Sequence, residues 1–403
     1  MNINDKDTLH ECTSCQMCAA VCPKEAIDIL LNEEGFYRPA VDKEKCVDCG
    51  LCKKVCYKYS EISQYDIFRK EKSTHYAASV KDDEILKSTT SGGVADALCQ
   101  LLIADGYTCV GVEYDYKRNR AIGKIASNYE EAKAFRGSKY IQSYSYPAFQ
   151  KLLSLDRNGK YAVFGTPCQI FALDNYLKLR KRRENFVLID IYCHGCPSLN
   201  VWKKYIKEIQ QKTGYKAFDG LNFRSKVRGW GNFYVVVVVV GGKPIYVSPK
   251  NNDKFYSLFF SDAILNDACY DCQLRSTLAH CDIRLGDFWG KCYDLNNRGV
   301  SLVSLASPKG WDVFEDLKPK LWCKEHRPED FLPYQSWGRN YNVNPVLRHK
   351  MLVMLSEENV TLKQVLNAYW QSRPINAKIK QMAKNIILLM PVSFISAIKR
   401  IYH

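Results

Sequence analysis

The sequence predicts an α+β fold in three parts: a small cysteine-rich head, an α/β body, and a mainly antiparallel β region added to that body. Three observations carry this. A C-x2-C-x2-C-x3-C run occurs twice within the first 60 residues, as "CTSCQMCAAVCP" and "CVDCGLCKKVCY". Apolar strands then lead through small turns into helices, as in "YAVFGTPCQIFALDNYL", which is the pattern of alternating β and α layers. From residue 220 the chain changes to strands, "GLNFRSKVRGWGNFYVVVVVVGGKPIYVS", with a hairpin at "GGKP". The predicted boundaries are 1–60 for the head, 61–75 for a polar linker, 76–160 and 161–330 for the two parts of the body, and 331–403 for a helical tail.

The first run supplies Cys12, Cys15, Cys18 and Cys22, then Pro23; the second supplies Cys46, Cys49, Cys52 and Cys56, then Tyr57. This is the bacterial two-cluster ferredoxin pattern, in which the fourth cysteine of each run serves the other cluster. The head therefore reads as a ferredoxin-like domain with two [4Fe–4S] clusters. Cys12, Cys15, Cys18 and Cys56 are assigned to one, and Cys22, Cys46, Cys49 and Cys52 to the other. Cysteines at every third position of a tight loop can wrap one cube, and soft thiolates suit iron and sulfide. Structural zinc fits less well, because it takes ligands in two pairs rather than in two runs of four. The intervening "AIDILLNEEGFYRPAVD" alternates enough to form a small covering hairpin.

Composition narrows the setting. Apolar content of 46% over 403 residues is enough for a sizeable core, whereas 18 cysteines are too many for packing alone. The N-terminus "MNINDKDTLH" has no apolar stretch of the signal-peptide kind, so the expectation is a cytoplasmic protein whose cysteines are metal ligands rather than disulfides. The formal charge of +15 counts cysteines as neutral. Three clusters at roughly −2 each would bring it to about +9. No zinc finger, helix-turn-helix or aromatic RNA-binding signature accompanies the basic residues, which excludes the usual nucleic-acid modules. The one basic run, Lys178 to Arg183, reads as the solvated end of a helix, or else as a docking patch for an acidic partner.

In the body, a strand "YAASV" precedes the helix opened by Ser91, Gly92 and Gly93. "YTCVGVEYD" is the next strand, and "NFVLIDIYCHGCPS" is a buried strand ending in a turn. Ligands collect at the carboxyl ends of strands in such sheets, and phosphates at helix N-termini. Neither glycine turn fits G-x-G-x-x-G, so the nicotinamide fingerprint is absent. The six valines from 235 to 240 imply a strand buried on both faces. Arg224, Lys226 and Arg228 alternate, which on a strand makes a positive row on one face: a solvated rim, or a seat for an anion. "CYDCQLRSTLAHC" has zinc-like pair spacing when taken alone.

Taken in order, the double cysteine run, "TTSGG", "RGSKYIQS", "GTPCQIFAL", "IYCHGCPS", "NFRSKVRGW" and "CYDC…CDIRLGDFWG" resemble the coenzyme F420 hydrogenase/dehydrogenase beta-subunit family. The resemblance spans roughly residues 8–330, and the branch it resembles is a bacterial one associated with surface-polysaccharide biosynthesis. It implies a flavoprotein with FAD and [4Fe–4S] clusters. A flavin is the sensible converter, since it accepts one or two electrons while a cluster accepts one. The implied flavin contacts are Ser91, Gly92 and Gly93; Gly137, Ser138, Lys139, Tyr140, Gln142 and Ser143; the turn Gly165, Thr166 and Pro167; Arg224 and Lys226; and Gly286, Asp287 and Trp289. The resemblance also implies a third cluster inside the body, with Cys168, Cys193, Cys269 and Cys272 as ligands. Cys196 is then a variant ligand or a bystander, Cys281 an alternate fourth ligand, and His280 no ligand. Zinc at the Cys269/Cys272 pair, and free thiols, stay open as alternatives. Cys99, Cys109, Cys292 and Cys323 stand alone and read as small packing residues.

Two residues are candidates for catalysis. His194 beside Cys193 can supply a proton near neutrality, although a histidine that only holds its turn is the alternative. Lys139 suits a pyrophosphate or a reduced flavin, against a plain surface lysine. The expected function is an iron–sulfur flavoprotein oxidoreductase, passing electrons from a ferredoxin-like donor to an organic two-electron substrate. The alternatives are an electron-transfer subunit serving a catalytic partner, and a redox enzyme acting on glycan precursors. The tail "IKQMAKNIILLMPVSFISAIKRIYH" is too short and too interrupted to span a bilayer, and reads as a membrane-surface or docking helix.

Overall fold

The computed structural model describes residues 2–231, 236–249, 253–390 and 394. Among these, nine strands form one mixed sheet, with Leu321–His326 as the strand at one edge and Ser143–Tyr144 at the other. In chain order, the head contributes a hairpin of β1 (Ile27–Leu31) and β2 (Tyr37–Val41), paired antiparallel. The body begins with β3 (Thr74–Val80), β4 (Thr108–Asp115), β5 (Arg120–Ala126) and β6 (Ser143–Tyr144). It continues with β7 (Tyr161–Phe164) and β8 (Phe186–Ile191), then a separate three-stranded sheet of β9 (Gly220–Asn222), β10 (Val237–Val240) and β11 (Lys243–Val247). It closes with β12 (Ile283–Asp287), β13 (Ser301–Leu305) and β14 (Leu321–His326). The fold is thus α+β, with a ferredoxin-like head, a mixed nine-stranded body and a small antiparallel sheet.

The centre of the large sheet is parallel: β12 pairs with β8, β8 with β7, and β7 with β4. Covered on both faces, β8 is apolar almost throughout, and Phe186 to Ile189 are fully buried. Parallel pairing puts the carboxyl ends of β7, β8 and β12 on one edge, and the segments that leave those ends carry Cys168, Cys193 and Asp287. The Ser-Gly-Gly turn sits by the same sheet. A side chain at Gly92 would collide with the Ala78 carbonyl, and Gly93 has φ of +79°, so the chain reverses there only with glycine. The helix Val94–Ala104 follows.

The head is fixed to the body by buried amides. Gln16 Nε2 donates to the Ser143 carbonyl at 2.7 Å, and its Oε1 accepts from the Ser145 and Tyr146 N–H groups. Gln142 donates to the carbonyls of Gly35 and Pro197, both at 3.0 Å. Asn266 donates to the Cys12 carbonyl at 2.9 Å, while Arg38 donates to its Oδ1 at 2.8 Å. Buried polar groups matched in this way dock one surface in one register.

Several sequence expectations change. Arg224, Lys226 and Arg228 lie in turns beyond β9 and not on a strand, so no alternating row forms; each reaches a separate partner. The valine run is not buried on both faces: Val236 and Val238 are buried while Val237, Val239 and Val240 are half-buried, because this small sheet has one open side; Val235 lies outside the described residues. The basic run is only half solvated, since Arg183 is drawn inward to Asp174 and Asp282, both at 2.9 Å. The tail contains the helices Pro345–Ser356, Leu362–Ser372 and Ile375–Leu389. The last exposes Ile375, Ile379, Met382 and Ile386 along one stripe; Pro391 and the residues after it, except Phe394, lie outside the described residues. Among the described residues no helix is long and apolar enough to cross a membrane.

Candidate functional site

The head cysteines gather into two groups. Cys12, Cys15, Cys18 and Cys56 line one cavity, together with Thr13, Ser14 and Gln16. Cys22, Cys46, Cys49 and Cys52 line another. The loops that build them are conformational copies: Ser14 and Asp48 have φ of +61° and +49°, and Gln16 and Gly50 have φ of +68° and +74°. Left-handed residues at alternate positions curl the backbone into a concave turn of the kind whose N–H groups can receive an anionic group. Gln16 occupies a position where its copy is glycine, and its side chain makes the interface bonds described above.

The two groups differ in setting. The group around Cys49 is the outer one, with Cys49 itself exposed. The group around Cys18 faces the body. Burial pushes the Cys15 and Cys56 thiols up to about 12, with neighbouring sulfurs adding to the rise at each. Such thiols give up their protons when a cation replaces them. The cavities and donor sets fit two iron–sulfur clusters.

A third group lies in the body. Cys168 is the second residue of the helix Pro167–Leu179, whose Thr166 cap closes a reciprocal bond with Gln169. Cys193 and Cys196 follow β8, and Cys269 and Cys272 come from two short 3-10 turns. Burial, and then mutual sulfur–sulfur repulsion, raise the thiols of Cys168, Cys196 and Cys269 well above normal and hold Cys193 at about 11. The Cys196 N–H donates to Cys269 Sγ at 3.4 Å. The nest therefore has five thiols, with Cys196 inside it. The helix that carries Cys168 also reaches the head, where its Ala172 lines the cavity of the group around Cys15.

Arg275 is the counter-charge. It is buried, donates to the Cys269 carbonyl, and covers the Tyr341 ring at 4.5 Å. Its buried Nε has no partner among the described residues, which leaves a donor suited to thiolate or sulfide. A thiol nest with a buried cation and an unused donor fits a cluster better than a zinc pair. Cys281 is not in the nest; its Sγ turns to the Leu278 carbonyl and lies by Asp190. His280 is bound to Asp174 at 2.8 Å. Cys99 and Cys109 are buried in the core, but Cys292 is exposed, which overturns the packing reading for that residue.

The residues proposed for the flavin divide into two sets. One converges by the Ser-Gly-Gly turn. Lys226 donates to the carbonyls of Leu86 and Ser91 at 2.6 and 2.5 Å, and burial lowers its pKa to about 8. Arg224 meets Asp287 at 2.5 Å, reaches Tyr140 Oη at 3.4 Å and lies over the Trp289 ring at 4.8 Å. Trp230, which sequence reasoning passed over, stacks on Trp289 at 5.1 Å and donates to Asp287 at 2.7 Å. Gly286 packs under Tyr192, one residue before Cys193. Ser138 N–H donates to Thr90 Oγ1 at 3.0 Å, which places Gly137 beside the same turn.

The other set is engaged elsewhere. Gln142 and the Ser143 carbonyl belong to the head–body interface. Gly165 and Thr166, with Pro167, form the turn that presents Cys168. Lys139 Nζ donates to the carbonyls of Ala134, Phe135 and Arg136, each at 3.1 Å, and burial lowers its pKa to about 7. Both ring nitrogens of His194 are held, by Asp262 at 2.8 Å and Tyr341 at 3.1 Å. Two cations beside paired indoles fit a flavin in kind, with phosphate-binding charge next to aromatic faces. Binding there requires Arg224 and Lys226 to exchange their present partners.

Comparison with known proteins finds two matching domain families. Residues 158–330 match the family described as coenzyme F420 hydrogenase/dehydrogenase, C terminus of the beta subunit, and residues 11–58 match the 4Fe-4S dicluster domain. Neither description concerns surface polysaccharides. No curated protein matches the chain. Among solved structures, a chain of the F420-reducing [NiFe] hydrogenase complex from Methanosarcina barkeri is similar at 16% identity and a TM-score of 0.45, covering 77% of this chain and 92% of that one. The chain thus carries a match to a 4Fe-4S dicluster domain at its head and, over residues 158–330, a match to the C-terminal domain of those beta subunits.

Proposed function

We propose that the chain is an iron–sulfur flavoprotein oxidoreductase, exchanging electrons between a ferredoxin-like one-electron carrier and an organic two-electron substrate. The observation that carries the reading is the succession of three thiol groups from the surface inward. The exposed group around Cys49 leads to the inner group around Cys15, whose cavity is also lined by Ala172 of the helix that carries Cys168 of the body nest. The nest ends at Cys193, next to the Tyr192 that packs on Gly286. When bound, clusters supply one-electron exchange and FAD converts between one and two electrons.

In this reading the four cysteines around Cys49 would hold the outer cluster at the face where a redox partner docks. The four around Cys18 would hold the inner one. Cys168, Cys193, Cys269 and Cys272, with Cys196 beside them, would hold a third, their charge offset by Arg275. Arg224 and Lys226 would bind FAD phosphates, Trp289 and Trp230 its ring system, and Ser91 to Gly93 would let the backbone approach. His194, oriented by Asp262 and Tyr341, and Lys139 are the proton-bearing groups assigned to the substrate side.

Anaerobic purification with cluster reconstitution tests this. The expected preparation yields extractable FAD together with acid-labile sulfide, and Lys226→Met lowers FAD content at least tenfold with iron unchanged. Absence of both flavin and sulfide would sink the proposal. A second reading, an electron-transfer subunit for a catalytic partner, is favoured by the exposed apolar stripe of the helix Ile375–Leu389, which suits docking. Turnover of candidate substrates by the isolated chain with dithionite and a viologen would exclude it.

A further inference from the structure

We propose that Cys292, His326 and Asp330 form a binding site for a zinc-class divalent cation, separate from all three cysteine groups. The Cys292 Sγ, a ring nitrogen of His326 and a carboxylate oxygen of Asp330 lie within 4.8 Å of one another. Zinc bonds of 2.0–2.3 Å place tetrahedral donors about 3.5 Å apart, so a small closure of exposed side chains completes the set. One thiolate, one imidazole and one carboxylate balance a divalent charge. They form a borderline-soft mixture that selects zinc over magnesium or calcium.

His326 is already oriented for the task. Its side chain is only 6% exposed, its ring packs against Phe288 at 4.7 Å, and its Nε2 meets Tyr293 Oη at 2.7 Å. Its Nδ1 faces Asp330 Oδ2 at 2.8 Å. Without a metal, Nδ1–H donates to the carboxylate and the tyrosine hydroxyl donates to Nε2. With a cation between Nδ1 and Asp330, the ring proton transfers through solvent from Nδ1 to Nε2, Nε2–H then donates to Tyr293 Oη, and the phenol holds the ring in the metal-binding tautomer. A hydroxyl that can donate or accept serves both states, as outer partners of ligating histidines do. Asp330 is 44% exposed and Cys292 is exposed, so the ion enters from solvent and water completes its coordination. Cys292 lies just after the "GDFWG" turn, and His326 ends β14. The cation would therefore clip the loop beyond Trp289 to the edge of the sheet.

The test uses the full-length, cluster-loaded protein equilibrated with Zn²⁺ and desalted. The expected result is one zinc per chain, with a Zn K-edge X-ray absorption spectrum giving one sulfur neighbour and the rest nitrogen or oxygen. Cys292→Ser and His326→Gln should each weaken zinc retention at least tenfold, and Tyr293→Phe by about tenfold, with iron content unchanged in all three. Failure of the wild-type chain to retain zinc would overturn the site. So would a shell of three or four sulfurs, or zinc retention unaffected by Cys292→Ser.

Discussion

The head and the body nest gather thiols by opposite means. In the head, each cavity is lined by three cysteines from one short loop and a fourth from the other run, so spacing and two repeated left-handed turns suffice. In the body, five cysteines come from three segments between residues 168 and 272. Cys168 and Cys193 meet because β7 and β8 are parallel neighbours. The third segment is tied in by the Pro197–Leu265 bridge and by Asn266 N–H donating to the Cys196 carbonyl at 2.8 Å. The thiol groups of the head are a local property of its loops, whereas the thiol nest of the body is a property of the folded sheet.

The most disruptive way to probe the contrast is inside the head. Cys18→Ser should remove about four irons while leaving the outer cluster, read by iron analysis and low-temperature EPR. Damage to the sheet should act on the other side. Leu188→Ala, at a fully buried position of β8, should cost about 2–5 kcal/mol in denaturant unfolding and release the nest's iron before that of the head. The junction comes next: Asn266→Ala removes the bonds to Cys12 and Arg38 and should cost about 1–3 kcal/mol, slowing electron passage between head and body with iron content unchanged. Mild acid gives the smallest effect. Burial pushes His75 of β3 down to about 4, and its nitrogens face Ser304 and Ser73 at 2.8 and 3.3 Å. Folding therefore favours its neutral form, and its contribution is complete above the unfolded value near 6.5. That contribution shrinks as pH falls toward 4. Between pH 6.5 and 5 the loss is on the order of 1–2 kcal/mol, and His75→Asn should flatten that slope. The head has no buried histidine among its described residues, so the loss falls on the body.

The same contrast sets what could be read from the chain alone. The two head groups were legible because three-residue spacing is itself the geometry. The strands of the body were legible from apolar runs between turns, and Cys168 and Cys193 stood out at strand ends. The positive row at Arg224 to Arg228 was misread because alternation implies a strand, whereas here it falls in turns whose cations turn inward to Asp287 and to backbone carbonyls. Gln16, Asn266 and Arg275 escaped notice because a single polar residue carries no spacing signal; only Gln16 left a trace, standing where the repeat has Gly50. Cys292 was taken for packing because its partners lie more than 30 residues away at another strand end.

The central claim is that the fold adds a third iron–sulfur site to the two in the head. Iron and acid-labile sulfide counted per chain in the anaerobically reconstituted wild type and in Cys269→Ser test it most directly. About twelve irons are expected in the wild type and about eight in the variant, with the head's EPR signals retained. About eight irons in both proteins would contradict it.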